Sequence, residues 1–434
     1  MSGLELSNRK VLIFWYPLLL TWLMMAVEGP YLAAIIARLP QEKYNLAAFG
    51  VSFALALVIE APVIMLMSAA IALIKGSQSF KRLSQFTWAL NIGVIVLNLL
   101  VLIPVIFNWI AMDLLQLEKP IADLVYATSL ALLPWAPAIG FRRFYQGLLI
   151  QAHQTRKVTA GTVFRLVAMG VSAWALARFS PLPGAVIGGL ALSVGVLAEA
   201  IATRILVHQV KRDILQTKDP VSIPSYAEIF HFYLPLALTS LIGLSVRPAI
   251  VFFMGQSRMA LETLAVLPVI NSLLFIFSAI GLSFQEVGVA LMGEHLQHKR
   301  KIHQFAVMLS CMVTLGFLMI TFTPMSNLWF EDISGLSTEL TEFAILPAKL
   351  MILMPWLSVY LSYQRALMVN LKTTKYVSRA SAVEVAGIIL ILLWTIHFLD
   401  LIGAIAASFA ITGGRILSTG YLQWKGYIHG PRSI

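Results

Sequence analysis

Residues 11–37 read VLIFWYPLLLTWLMMAVEGPYLAAIIA, an apolar run interrupted by a single charge, Glu28. A helix needs about 20 mostly apolar residues to cross the hydrocarbon core of a bilayer, so this run is long enough to span it. It is too long for a signal peptide, and no small-residue cleavage site follows it. We read it as a first spanning helix. Residues 229–255 read IFHFYLPLALTSLIGLSVRPAIVFFMG. At an offset of 218, Pro17 falls on Pro235, Thr21 on Thr239 and Pro30 on Pro248, while Glu28-Gly29-Pro30 meets Val246-Arg247-Pro248.

The register continues outward. It carries Leu46-Ala47 onto Leu264-Ala265, Ala72-Leu73 onto Ala290-Leu291 and Lys81-Arg82 onto Lys299-Arg300. One residue is then gained, and at 219 Thr155 falls on Thr374, Val158 on Val377 and Gly184-Ala185 on Gly403-Ala404. Chance identities are common in apolar sequence. A register shared by prolines, threonines and a Lys-Arg pair is far less so.

The chain of 434 residues is 59% hydrophobic and 12% charged. Soluble domains carry about 25% charged residues, so runs this apolar have lipid as their natural solvent. Windows of spanning length give twelve helices, near 11–37, 46–74, 84–110, 121–150, 158–178, 183–208, 228–254, 261–292, 302–326, 342–370, 376–398 and 401–423. Read in alternation, one set of loops is basic. It includes Arg9, Lys10, Lys75, Lys81, Arg82, Arg156, Lys157, Lys211, Arg212, Lys218, Lys299, Arg300, Lys301, Lys372, Lys375, Arg379, Lys425 and Arg432. The other set is acidic, with Glu42, Asp113, Glu118, Asp123, Glu262, Glu331, Asp332, Glu339, Glu342 and Asp400. Basic loops stay cytoplasmic, which places both termini inside. The net charge of +11 is therefore topological and is no sign of nucleic-acid binding.

The expected fold is an all-α polytopic membrane protein with twelve transmembrane helices in two parallel six-helix repeats. The expected organisation is a lobe at 1–208, a cytoplasmic linker at 209–227 and a lobe at 228–434. Six helices return the chain to its starting side, so the repeats are related by an axis along the membrane normal, with a substrate site between them near the midplane. Proline removes a backbone donor and kinks a helix. Pro30 and Pro248, matched by the repeat and each beside a charge, are the expected hinge pair.

Charges within spans are costly and informative. They are Glu28, Glu60, Arg142, Arg143, Arg165, Glu199, Arg204, Arg247, Glu286, Arg365, Glu384 and Arg415, with the polar Gln285 beside Glu286. Glu28 and Arg247 sit at nearly equivalent repeat positions, so one half presents an acid where the other presents a base. Guanidinium groups match carboxylate and phosphate bidentately. Arg247, Arg143 and Arg365, with Gln285 and Glu286, are the candidate substrate-binding set. Glu28 and Glu60 are candidate coupling groups for H+ or Na+, because a buried carboxylate can carry a proton. Ordinary interhelical ion pairs and snorkelling compete with these roles, most strongly for Arg165 and Glu384, which are themselves repeat equivalents. The lone cysteine, Cys311, offers no disulfide and no metal site. There is no catalytic constellation, so neither enzyme activity nor a cofactor is expected.

Twelve spans in two parallel halves resemble the multidrug/oligosaccharidyl-lipid/polysaccharide (MOP) exporter superfamily. Three stretches resemble the progressive ankylosis protein family within it. They are Leu46-Ala47-Ala48-Phe49-Gly50, then Pro235-Leu236-Ala237-Leu238 with Arg247-Pro248, and Leu367-Met368 with Leu371-Lys372 and Thr374. The resemblance implies export of small organic anions such as citrate and nucleotides, and a role in pyrophosphate supply. It places Arg247 on the anion and Glu286 on a family acid, while Arg365 has no clean family counterpart. The family's long acidic tail is not matched after Trp424. The short loops point to a bacterial inner membrane, and a monomer is expected. Two other functions compete: a flippase for a lipid-linked saccharide, and a cation-coupled multidrug extruder.

Overall fold

The repeat read from side chains recurs in the backbone of the computed structural model, which describes residues 6–429 apart from 153, 220–222, 293–295, 372 and 374. Lys372, Thr374 and Arg432, named above for loop charge, repeat and resemblance, lie outside the described residues. Gln41 and Met259, 218 apart, both adopt the left-handed conformation, at φ 58° and 54°. Each precedes a helix that enters the membrane, Glu42–Glu60 and Ala260–Leu291. The π-helical turns Trp109–Leu114 and Leu328–Ile333 lie 219 apart. Gln116 and Gly335, the next residues with positive φ, keep that spacing.

One tertiary hydrogen bond is also duplicated. Asn45 Oδ1 accepts from the amide of Ala185 at 2.9 Å, and Thr263 Oγ1 accepts from the amide of Ala404 at 3.1 Å. In each half a polar side chain near the start of the second span satisfies an orphan donor at the N-terminus of the sixth. In lipid that donor has no water to turn to.

The chain is helical throughout its described spans, with one isolated bridge between Arg258 and Ile402. Among the described residues, ten helices are long and apolar enough to cross a membrane, and an eleventh is formed by Thr338–Leu350 with Met354–Asn370, bent by 42°. The segment read as the twelfth span is one continuous helix, Gly403–His429, but is less apolar than the others.

Packing groups the helices differently from the linear lobes 1–208 and 228–434. One compact unit is Leu39–Gly255; the other joins Met1–Arg38 to Gln256–Ile434. The first span thus packs with the second half of the chain: helix Asn8–Ala26 lies along Ala260–Leu291, and Trp15 Nε1 donates to Ser283 Oγ at 2.8 Å. The seventh packs with the first half, where the Tyr233 hydroxyl donates to the Pro62 carbonyl at 2.5 Å. The linker is tied into that same unit. Ser77 N–H donates to Thr217 O at 2.9 Å, and the Asp219 carboxylate accepts from the amides of Gln78 (2.8 Å) and Ser79 (3.2 Å) and from the Ser79 hydroxyl. A Cβ on Gly76 would stand 2.7 Å from the Asp219 nitrogen, so this clasp requires glycine.

Candidate functional site: buried charge clusters and two broken helices

In the unit Leu39–Gly255, the fully buried Glu199 on helix Gly184–Leu206 gathers four polar side chains. Arg142 is 2.5 Å from its Oε2 and Arg165 is 3.7 Å away. Gln146 and Thr162 reach Oε1 at 3.1 and 3.3 Å. Arg142 and Gln146 are four residues apart on helix Trp135–Gln151, which puts them on one face. Arg143, the neighbour predicted as a ligand, points elsewhere and stays partly open. Glu60, at the end of helix Glu42–Glu60, is buried within electrostatic reach of Arg142, Arg143 and Arg165, and its Oε2 has no hydrogen-bond partner. The cluster thus sets three arginines (Arg142, Arg143, Arg165) against two carboxylates (Glu60, Glu199).

The other unit repeats the arrangement with the charges exchanged. Glu384, the repeat equivalent of Arg165, receives Arg415 Nε at 2.8 Å. In the first half the base is on the fifth span and the acid on the sixth; in the second half the acid is on the eleventh and the base on the twelfth. Arg165 and Glu384, suspected above as charge pairs, each bond within their own half. Both crossings are tight at the same place. A Cβ on Gly195 would lie 3.1 Å from Arg165 O, and one on its equivalent Gly414 would lie 2.8 Å from Glu384 O. Small residues let helix backbones approach in lipid, where apolar side chains gain nothing by leaving the acyl chains. Arg365 is within electrostatic reach of Arg415 and Glu384. Its neighbour Gln364 donates to Gln423 Oε1 at 2.9 Å and to Thr419 O at 3.1 Å.

The matched prolines coincide with helix breaks. The first span divides into Asn8–Ala26 and Glu28–Ala37, and the seventh into Tyr226–Leu244 and Val246–Gly255. The breaks, at Val27 and Ser245, are 218 apart. Pro30 and Pro248 have no N–H for the carbonyls of Ala26 and Leu244, and their rings crowd those carbonyls. Glu28 is buried in the first turn beyond its break, at the end of a helix that favours negative charge. Arg247 occupies the second position beyond its break. Its guanidinium lies 5.6 Å from the Phe53 ring centre, a cation–π contact. It has no carboxylate partner among the described residues, and its side chain is open.

Of the other predicted residues, Glu286 is exposed and accepts from Trp22 Nε1 at 3.4 Å, with Gln285 half-buried beside it. Structure therefore brings Glu60 and Arg143 together in one unit and places Glu28, Gln285, Glu286 and Arg365 in the other. Thr162 and Gln364 were not singled out from sequence. A neutral hydroxyl or amide in a span carries no cost large enough to notice, and only the side chain it meets reveals its part. No group of three or more His, Cys, Asp or Glu residues fit to hold a metal occurs among the described residues.

This fold resembles that of solved MOP-superfamily transporters. A multidrug resistance transporter of the MATE family, solved facing inward, superposes with TM-score 0.66 over 95% of this chain and 96% of its own at 14% identity. The lipid II flippase MurJ gives 0.72 over 96% of this chain and 87% of its own at 13% identity. A MOP-superfamily transporter from Pyrococcus furiosus, described as having a binding pocket of reversed polarity, gives 0.65 over 97% and 96% at 14% identity. At such identities the likeness is one of fold. No protein-family model and no curated protein matches the sequence.

Proposed function

We propose that this chain is a secondary active transporter that exports a small organic or phosphate-bearing anion, of the citrate, nucleotide or pyrophosphate kind, by alternating access. The observation that carries this reading is Arg247: a guanidinium in a membrane-spanning helix, beside a break, with an aromatic ring for company and no acid. A permanent charge placed so deep without a counter-ion is matched to an anion that arrives and leaves. The surplus of arginine over carboxylate in each buried cluster supports the same sign of cargo, as does the resemblance to the progressive ankylosis family. Arg143, Arg365, Gln285 and Glu286 are further candidate contacts. Glu28 and Glu60 are the candidate carriers of a coupling H+ or Na+. We place the chain as a monomer in a bacterial inner membrane.

A second reading is favoured by one observation, the likeness to the lipid II flippase MurJ. A lipid-linked saccharide also carries phosphates that a lone guanidinium fits. Reconstituted vesicles separate the two. Labelled citrate and nucleotide, a labelled lipid-linked saccharide and a cationic dye are offered in parallel to the native chain and to Arg247→Ala. The anion reading expects anion flux that drops at least 10-fold in the variant. Anion flux indifferent to the variant, or flux of the dye alone, rejects it; flux of the lipid-linked saccharide alone selects the second reading.

A further inference from the structure

A gathering of cations without carboxylate partners among the described residues lies outside the clusters above, where helices Lys375–His397 and Gly403–His429 meet at the basic end of the spans. Lys375, Arg379 and Lys425 converge on one buried ring, Tyr376, at 5.3, 5.8 and 5.5 Å from its centre. Lys425 also lies over the rings of Trp424, at 3.7 Å, and Tyr421, at 5.8 Å. None of the three cations has a carboxylate partner among the described residues, and the first turn of the helix that begins at Lys375 contains no acid. Three like charges gathered around one ring repel one another.

The internal repeat shows that the helix pair does not need this group. At an offset of 219 the positions of Lys375, Tyr376, Arg379, Tyr421, Trp424 and Lys425 are held by Arg156, Lys157, Ala160, Ala202, Ile205 and Leu206. There the same two helices pack as closely with no aromatic residue at these six positions, and Lys157 Nζ donates to the Leu206 carbonyl at 3.2 Å. At these positions the three aromatic rings, Arg379 and Lys425 are thus found in the second half alone. Their composition is that of a membrane interface. Trp and Tyr settle at headgroup depth, and Trp424 and Tyr427 are 55% and 85% exposed beside the cations. Lys and Arg near an anionic leaflet gain about 1 kcal/mol each.

We propose that Lys375, Arg379 and Lys425, framed by Tyr376, Tyr421 and Trp424, form a binding site for the phosphate headgroup of an anionic phospholipid in the leaflet at the basic end of the spans. Arg379 supplies the fork that matches a phosphate, and the two lysines supply mobile point charges. The aromatic rings fix the depth of the headgroup against the glycerol.

The test uses the purified full chain, titrated in detergent with phosphatidylglycerol or phosphatidylcholine, with bound lipid counted by native mass spectrometry. The variants are the triple Lys375→Gln/Arg379→Gln/Lys425→Gln and a control of equal charge loss at the same end, Lys299→Gln/Arg300→Gln/Lys301→Gln. The native chain is expected to retain phosphatidylglycerol preferentially. Each single substitution at the site should weaken retention about 5-fold, and the site triple should abolish the preference while the control keeps it. Equal loss in both triples would mean that net charge alone attracts the lipid, and loss in neither would mean no site; both overturn the proposal. A further arm adds inorganic phosphate at millimolar concentration. Displacement of the lipid by phosphate would make this a soluble-anion site and also overturns it. Monodisperse elution of the triple keeps the comparison valid, since exposed side chains are being changed.

Discussion

Replacing Glu199 by Gln removes the acid around which one buried cluster is organised. Glu199 is fully buried and holds Arg142 at 2.5 Å and Arg165 at 3.7 Å. The amide that replaces it can still meet Gln146 and Thr162, so shape and some hydrogen bonding survive. What is lost is the charge that compensates Arg142, which is 7% exposed. Breaking a buried pair from one side costs about 3–5 kcal/mol, because the other charge is left in a medium that does not solvate it. We expect the lower end of that range, about 3 kcal/mol, since Glu60 remains within reach of the same arginines. Glu384→Gln makes the matching cut in the second half. There Arg415 is 25% exposed and can turn toward water, so the cost falls to about 1.5–2 kcal/mol. Equilibrium unfolding of the detergent-solubilised protein measures both. The double variant Glu199→Gln/Arg142→Gln completes a cycle, and removing both charges should cost less than the sum of the single changes by at least about 1 kcal/mol. The reasoning is refuted if Glu199→Gln lies within about 0.5 kcal/mol of the native chain, or if Glu384→Gln costs more than Glu199→Gln.

Asn45→Ala and Thr263→Ala each leave a helix N–H of the sixth or twelfth span without its acceptor, and each should cost about 1 kcal/mol in the same unfolding assay. Asn45→Thr, which installs the side chain used in the other half, should cost less than Asn45→Ala. Pro30→Ala and Pro248→Ala restore the N–H that closes the breaks at Val27 and Ser245; transport in vesicles should fall several-fold while thermal stability holds or rises, and unchanged transport would show that the breaks are packing kinks. Burial pushes the Asp219 carboxyl up, but hydrogen bonds from the Ser79 side chain and the amides of Gln78 and Ser79 outweigh it and hold the group below its ordinary value of 3.8. The clasp therefore contributes stability above about pH 4 and loses it as pH falls through the lowered value. Limited proteolysis of the linker should accelerate on that acid side, and Asp219→Asn should show fast cleavage at every pH.

Much of the membrane architecture was legible in the chain because the bilayer imposes a length and an apolarity on every span. The run at 11–37 and its partner at 229–255 declared two spans, a repeat and the site of two breaks, since a proline missing an N–H acts through its own helix wherever that helix sits. The register 218 to 219, read from prolines and a Lys-Arg pair, reappears in the left-handed residues Gln41 and Met259 and in the bonds from Asn45 and Thr263. Tertiary structure decided what adjacency in sequence cannot express. It put the first span with the second half of the chain and the seventh with the first half, because Trp15 and Tyr233 found their acceptors there. It also sorted the intramembrane charges. Arg165 and Glu384 share a repeat position and opposite charge, yet each is neutralised within its own half, by Glu199 and Arg415, and Arg247 is left without an acid. The cost of a charge in lipid marks its position along a helix; whether that charge is structural or free depends on what stands within about 4 Å of it, and only packing supplies that neighbour.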